Sequence, residues 1–298
     1  MTGPTISFLV AVRNRPELVC RALRSVPLDD PALEVVVVDD ASVDGTPARI
    51  EAEFGDSVRL VRQRERRGSG AARNVAARVA RGDWAVIFDS DNELLPGAGA
   101  LLLERVRGAE ANGVVFMNAR RRSDGTPTGA KTMPDGTVDY RDLLRRRLHG
   151  EYIPAVRRTA LVDTPYDEMV GRECAGVLWF RIARELGAEA YDAPILTYDD
   201  VSANRMSSRP EVFRYPAQAA SCHRMMLEFF GAELRRLDPD VWADHVVRDA
   251  FWTMVSGDRR RALRDARRAL RVSRRPSVIV ASLAVVAGPR LARWAYRG

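Results

Sequence analysis

The sequence predicts an α/β fold, a mostly parallel sheet flanked by helices, with an all-helical C-terminal extension. Three observations predict it. Apolar runs of strand length alternate with apolar residues at helical spacing from Ile6 to about Asn118. Arg13-Asn14, Asp39-Asp40 and Asp89-Ser90-Asp91 each follow the end of a strand, where open parallel sheets place their ligands. Beyond about Pro210 the strand pattern stops and only helical spacing continues. The expected division is 1–205 for the α/β part and 206–298 for the helical extension.

In chain order, Ile6–Val12 reads as the first strand, and Pro16 starts a helix whose Leu18, Ala22, Leu23 and Val26 recur at helical spacing. Leu33–Val38 is a second strand ending at Asp39-Asp40, and Thr46-Pro47 caps and opens a second helix. Val58–Val61 is a short third strand. Gly68-Ser69-Gly70 opens an alanine-rich helix to about Ala80, and Gly82-Asp83 turns the chain into a strand at Trp84. Leu101, Leu102, Leu103 and Val106 mark a helix, and Val114–Asn118 a fifth strand. Residues 119–136 read as a hairpin or a mobile loop, and Glu151 to Asp167 as short extended pieces. A further helix runs from near Cys174 to Gly187.

The run from Trp84 to Phe88 stops at two carboxylates one residue apart, Asp89 and Asp91. Two carboxylates so spaced just past a strand end can reach one divalent cation, which keeps coordination positions for a diphosphate. The 298 residues carry a formal net charge of +7, nearly all of it arginine, since Lys131 is the only lysine. Such a surface favours an anionic partner. Cys20, Cys174 and Cys222 lie far apart without Cys-x-x-Cys spacing, so neither a zinc site nor a disulfide framework is expected. With no secretory-signal pattern after Met1, a cytoplasmic protein is expected, or one held peripherally at the inner face of the membrane.

The segment 257–275 carries nine arginines against two aspartates, and Val278–Ala287 is an apolar run of ten residues, short of the roughly 18 that cross a bilayer. The run suits an interfacial membrane helix or a terminal helix packed on its own domain or another subunit, so a homo-oligomer stays open. No nucleic-acid partner is expected, because no aromatic residues interleave with these arginines. His149, His223 and His245 read as isolated and structural.

Four stretches in order, Ile6 to Pro16, Val35 to Thr46, Gly68 to Asn74 and Gly82 to Asp91, closely resemble the family-two glycosyltransferases of GT-A fold, a Rossmann-like sheet. The resemblance implies an inverting glycosyltransferase with a nucleotide-diphosphate sugar donor and a hydroxyl-bearing acceptor: a glycan, a lipid-linked intermediate or a small molecule. It implies a donor site of Ala11, Arg13, Asn14, Asp39, Asp40, Arg73, Asp89 and Ser90. Asp40 would accept from a ring N–H of the base, Asp39 would support it, and Arg73 would lie near the phosphates. Asp89 and Asp91 would hold Mn2+ or Mg2+, with Asp91 the direct ligand. The catalytic base would come from an acidic pair ahead of the helix bearing Leu178-Trp179; only Glu173 of that pair is acidic here, Cys174 replacing the other. Asp167 and Glu168 are the fallbacks. Arg13 stands where the family often has an aromatic residue.

Two rivals stay open. A sugar nucleotidyltransferase should carry a glycine-rich, arginine-containing loop after the first strand, which Ala11-Val12-Arg13-Asn14 is not. A non-catalytic scaffold that binds nucleotide sugar or docks at a membrane gains from the replaced acidic pair. Gly68-Ser69-Gly70 follows the third strand and lacks a third glycine, against NAD binding, and no P-loop sequence occurs.

Overall fold

Ile6, Phe8, Val10 and Val12 of the first strand, β1 (Ile6–Val12), alternate into one core, where Phe8 meets Phe88 edge to face at 5.5 Å. Leu9 is buried as well, so the strand is covered on both faces, as a parallel sheet between helices requires. The coordinates are a computed structural model that describes residues 5–168, 175–201 and 216–288, with backbone alone for 216–219.

The chain forms two compact units, Met1–Met169 with Leu178–Val201 and Val170–Val177 with Ser202–Gly298. In the first, β1 leads to α1 (Pro16–Arg24), β2 (Leu33–Asp39), α2 (Thr46–Phe54), β3 (Arg59–Arg62), α3 (Ser69–Val79), β4 (Trp84–Ile87), β5 (Glu93–Leu94) and α4 (Ala98–Gly108). Then come β6 (Val114–Arg121), β7 (Gly129–Lys131), β8 (Gly136–Val138), α5 (Tyr140–Leu144), β9 (Leu148–Gly150), β10 (Tyr152–Arg157), α6 (Arg158–Asp163), α7 (Ala175–Leu186), which belongs to this unit from Leu178 on, and β11 (Ala188–Tyr198). The sheet runs β3-β2-β1-β4-β10-β6-β11-β5, with β8 also paired to β11, while β7 and β9 form a separate ribbon.

The β3-β2-β1-β4 half is parallel, and β10 enters antiparallel between β4 and β6. The sequence showed only short extended pieces there, because Pro154 in the middle of β10 argues against a central strand. β11 was not expected as a strand: Asp192 and Pro194 interrupt its pattern, and its pairing with β6 shifts register at Pro194. Residues 119–136 hold a hairpin, with Arg121 N–H donating to the Thr126 carbonyl at 2.8 Å and a bridge between Arg120 and Pro127.

At the opposite end of the sheet from the conspicuous carboxylates, Glu34 ties three segments together. Its carboxylate accepts from Ser7 Oγ at 2.5 Å, from the backbone N–H of Arg81 and Gly82, and from Arg81 Nε at 3.0 Å. Burial raises the Glu34 pKa, but the bonds from Ser7, Arg81 and Gly82 outweigh it and hold the pKa below the usual value. A Cβ on Gly82 would meet Ser7 Oγ at 2.5 Å and Ser7 N at 2.8 Å, so only glycine lets the turn lie against β1.

The second unit contains α8 (Pro216–Leu237), α9 (Pro239–Val255), α10 (Arg259–Leu270) and α11 (Pro276–Ala287). Asp238 caps α9 by accepting from Asp240 N and Val241 N, and Asp258 caps α10 by accepting from Arg261 N. The buried Asp249 carboxylate of α9 receives Arg224 of α8 at 3.3 Å and Arg261 of α10 at 3.2 Å, pinning three helices. Trp242 lies between Arg235 and Arg268, whose guanidinium carbons stand 5.2 and 4.7 Å from the ring centroid.

Two expectations are corrected here. His223 and His245 are not isolated, since their Nδ1 atoms lie 3.2 Å apart across α8 and α9. Cys222 is disulfide-bonded, although its spacing from the other cysteines gave no sign of it, while Cys20 is free and buried. Among the described residues no helix is long and apolar enough to cross a membrane.

Two stability outcomes follow from the Glu34 junction. Gly82→Ala should lower the unfolding free energy by about 1–3 kcal/mol, measured by denaturant titration, because the new methyl meets backbone. Glu34→Gln should cost about 1–3 kcal/mol at neutral pH. A depressed folded-state pKa contributes stability above the ordinary carboxylate pKa and loses it as pH falls through the folded value. The gap between Glu34→Gln and wild type should therefore be full above about pH 5 and close below about pH 4.

Candidate functional site

Val12 of β1 pairs with Asp39 of β2, and Asp39 with Arg62 of β3, so three strands end level; β4 pairs with β1 as far as Leu9–Ile87, and Phe88 just past it donates its N–H to the Leu9 carbonyl at 3.1 Å. This common edge brings together Ala11, Arg13, Asn14, Asp39, Asp40, Asp89, Ser90 and Asp91.

Among the described residues Asn14 is one of three non-glycine residues with positive φ (+53°), and asparagine tolerates that conformation best. It locks two loops: its N–H donates to Ser42 Oγ at 2.9 Å and its Oδ1 accepts from Val43 N at 2.9 Å. Asp39, buried at the end of β2, accepts from Ser42 N through Oδ2 at 3.1 Å, while its Oδ1 is buried without a partner. Asp40 is 5% exposed and accepts from Arg67 N at 2.6 Å and Gly68 N at 3.0 Å. Gly68, at φ +90°, takes the left-handed turn that aims both N–H groups at that carboxylate. Gln63, whose N–H donates to the Asp39 carbonyl, has both side-chain amide atoms buried without partners. Arg13 Nε is likewise buried and unpartnered. A cluster of orphaned polar atoms at one sheet edge is costly unless something polar fills it.

On the other side of β1, both carboxylates of Asp89-Ser90-Asp91 carry an arginine. Arg73 of α3, 8% exposed, donates through Nη2 to Asp89 Oδ1 and lies over the Tyr166 ring at 5.7 Å. Arg15 Nη1 donates to Asp91 Oδ2 at 2.8 Å. Burial, and then the neighbouring Asp89 charge, raise the Asp91 pKa, with Arg15 opposing them. Burial lowers the Arg73 pKa, but Asp89 and Tyr166 outweigh it and the net shift is upward; burial lifts Tyr166 to about 12. Behind this turn, Arg21 Nη2 donates to the Asp91 carbonyl at 3.3 Å and to Asp199 Oδ2 at 3.1 Å, and Arg21 Nε pairs with Glu93 at 2.7 Å.

Each aspartate keeps one oxygen outside its arginine pair, Asp89 Oδ2 and Asp91 Oδ1. Two hard carboxylate oxygens suit Mg2+ or Mn2+ that draws further ligands from phosphate and water. No group of three or more His, Cys, Asp or Glu able to hold a metal occurs among the described residues.

The segment at Tyr166 and Glu168 is fastened to α3. Asn74 Nδ2 donates to the Tyr166 carbonyl at 3.0 Å and to Glu168 Oε1 at 2.9 Å, and its Oδ1 accepts from Tyr166 N at 2.9 Å. Glu168, one of the fallback bases, is further paired with Arg67, which leaves it a tether more than a free base. Asp167 is exposed, and Glu173 lies outside the described residues.

The sequence carries no signal for Arg15, Gln63 or Tyr166, whose partners lie far along the chain. It also passed over Glu151, whose pKa is raised by burial and then by the Asp89 charge, with Arg121 opposing.

The Glycosyl transferase family 2 model matches residues 7–166. The succinoglycan biosynthesis protein ExoO of Rhizobium meliloti is 38% identical over 109 residues, covering 36% of this chain and 31% of the relative. The GalNAc(5)-diNAcBac-PP-undecaprenol beta-1,3-glucosyltransferase of Campylobacter jejuni is 26% identical over 191 residues, 61% of this chain and 60% of the relative. The chain therefore spans between a third and three fifths of these curated relatives.

Among solved structures, S. aureus TarS 1-349 in complex with UDP-GlcNAc superposes with a TM-score of 0.60 at 17% identity, over 98% of this chain and 92% of that one. The mannosyltransferase PcManGT of Pyrobaculum calidifontis, in complex with GDP-Man and Mn2+, gives 0.54 at 21% identity, over 99% and 85%. These structures share the GT-A fold. With the family model covering more than half of its length, the chain belongs to glycosyl transferase family 2.

Proposed function

We propose that this chain transfers a glycosyl group from a nucleoside-diphosphate sugar to a hydroxyl acceptor, with inversion at the anomeric carbon and a divalent cation at Asp89 and Asp91. The observation that carries the proposal is the convergence of Asp39, Asp40, Arg73, Asp89 and Asp91 at one sheet edge of a family 2 chain. The relatives' complexes with UDP-GlcNAc and with GDP-Man and Mn2+ support a nucleotide-sugar donor and a cation of this type.

The base would lie across the ends of β1 and β2. Asp40 is held by two backbone N–H groups and has lone pairs left to accept a ring N–H, and Asp39 Oδ1 is a second unsatisfied acceptor beside it. Gln63 offers an unpaired donor and acceptor at the same edge. Arg13 places a cation here in place of an aromatic plane. Arg73 and Arg15 would face the diphosphate, since each is already held at a carboxylate that a phosphate-bridged cation would share.

A bound Mn2+ or Mg2+ supplies Lewis-acid neutralisation of the leaving diphosphate. Arg73, held by Asp89 and Tyr166, adds a fixed positive charge on the same side of the breaking bond. On the opposite face a general base takes the acceptor hydroxyl proton as the new bond forms. Glu173 is assigned that role; Asn74 fastens the segment just ahead of it through Tyr166 and Glu168.

Incubation with a panel of nucleotide sugars and Mn2+, reading release of the nucleoside diphosphate, tests the proposal. Asp89→Ala should reduce turnover by about a hundredfold or more while the protein stays folded. Full turnover in Asp89→Ala, or none by wild type with any donor, would shift weight to a non-catalytic scaffold. Arg15 competes with the cation for Asp91, so Arg15→Ala should bind Mn2+ roughly fivefold more tightly in electron paramagnetic resonance titrations without donor. Unchanged or weaker Mn2+ binding would remove Asp91 from the cation site.

A further inference from the structure

One face of α11 is apolar and uncovered. Val278, Ser282 and Val285 are buried, whereas Val280 is 64%, Leu283 62% and Val286 59% exposed, with Ile279 beside them. Exposed positions 279, 283 and 286 recur at helical spacing, so they form a stripe and not scattered surface hydrophobics.

α10 and α11 both pack on α9 and on each other, so their outward sides adjoin. The outward side of α10 is set by its buried Ala262, Ala266 and Ala269; what remains exposed is Arg259, Arg260, Arg264, Arg267 and Arg268, followed by Arg271 and Arg274. Among the described residues Arg259, Arg260, Arg267, Arg271 and Arg274 make no side-chain ion pair, and between Asp258 and Gly298 the only acidic residue is Asp265. After α11 the sequence adds Arg290, Arg293 and Arg297 with Trp294 and Tyr296, side chains suited to a water–lipid boundary.

We infer that the α10–α11 face docks on an anionic lipid surface, with the Ile279, Val280, Leu283 and Val286 stripe entering the headgroup boundary and the α10 arginines facing lipid phosphates. A helix of twelve residues cannot span a bilayer but can lie in its surface, and an apolar stripe beside a basic one supplies the two signals that stable peripheral binding requires. Charge complementarity selects this occupant. A second copy of the same face would set arginines against arginines, and nucleic acid would use the arginines but leave the apolar stripe in water.

The full chain is sedimented with phosphatidylcholine vesicles and with vesicles containing 30% phosphatidylglycerol. Partition onto the anionic vesicles should be at least about tenfold stronger and should fall steeply between low and high salt. The double variant Val280→Gln, Leu283→Gln should lose about tenfold on anionic vesicles, and Arg260→Gln, Arg267→Gln, Arg271→Gln should lose the anionic preference. All these residues are exposed, and unchanged circular dichroism and melting confirm that the variants fold. No partition by folded wild type, partition untouched by either variant, or a dimer in sedimentation velocity that the double variant dissolves would each overturn the inference. So would tight RNA binding that is lost in the arginine variant while vesicle binding is absent.

Discussion

The charge balance at the end of β4 is the constraint on which the rest of the first unit depends. Burial and then the Asp89 charge raise the Asp91 pKa, and each carboxylate is held by one arginine, Arg73 from α3 and Arg15 from the β1–α1 turn. Those arginines can reach only because β1 and β4 are neighbours in the sheet and α3 packs against β1. The crossover that sets β4 beside β1 therefore also assembles the site, and the alternating strands and helices of the first half are what the site requires of the fold. The two pairs match the two carboxylate charges one to one and leave one oxygen on each carboxylate outside its arginine pair.

Support for this edge extends away from it. Arg21 grips the backbone of Asp91 from behind and is itself held by Glu93 and Asp199, which ties the turn to the ends of β5 and β11. Asn74 performs the same service for the segment at Tyr166 and Glu168, so α3 carries both the arginine that meets Asp89 and the side chain that holds that segment. At the other end of the sheet Glu34 and Gly82 hold β1, β2 and the β4 entry together, so the junction that stabilises the sheet is separated from the edge that carries Asp39, Asp40, Asp89 and Asp91.

The parallel half of the sheet was legible because each strand is an unbroken apolar run. The structure gives β1 as expected at Ile6–Val12, carries β2 one residue further to Asp39 and places β3 at Arg59–Arg62. The second half was not legible for a local reason. β10 is central yet contains Pro154, and β11 carries Asp192 and Pro194 with a register shift, so both break the strand pattern while tertiary pairing holds them. At the site, the carboxylates that close β2 and β4 were visible because strand ends mark themselves. Arg15, Gln63 and Tyr166 were not, since nothing in a linear pattern says which distant side chain an arginine or amide will meet. The same limit hid the His223–His245 contact, which depends on how α8 and α9 pack, and the Cys222 disulfide, which its spacing did not signal.

The central claim is that the edge shared by β1, β2 and β4 binds a nucleoside diphosphate together with a cation. Isothermal titration of UDP, GDP and dTDP, each with and without Mn2+, measures it most directly. The account predicts that one of them binds, that Mn2+ strengthens it by at least about tenfold, and that Asp40→Ala and Asp91→Ala each weaken it, the latter by removing the Mn2+ dependence. A folded protein that binds none of the three, or that binds one equally well without Mn2+ and with Asp40 and Asp91 replaced, would contradict it.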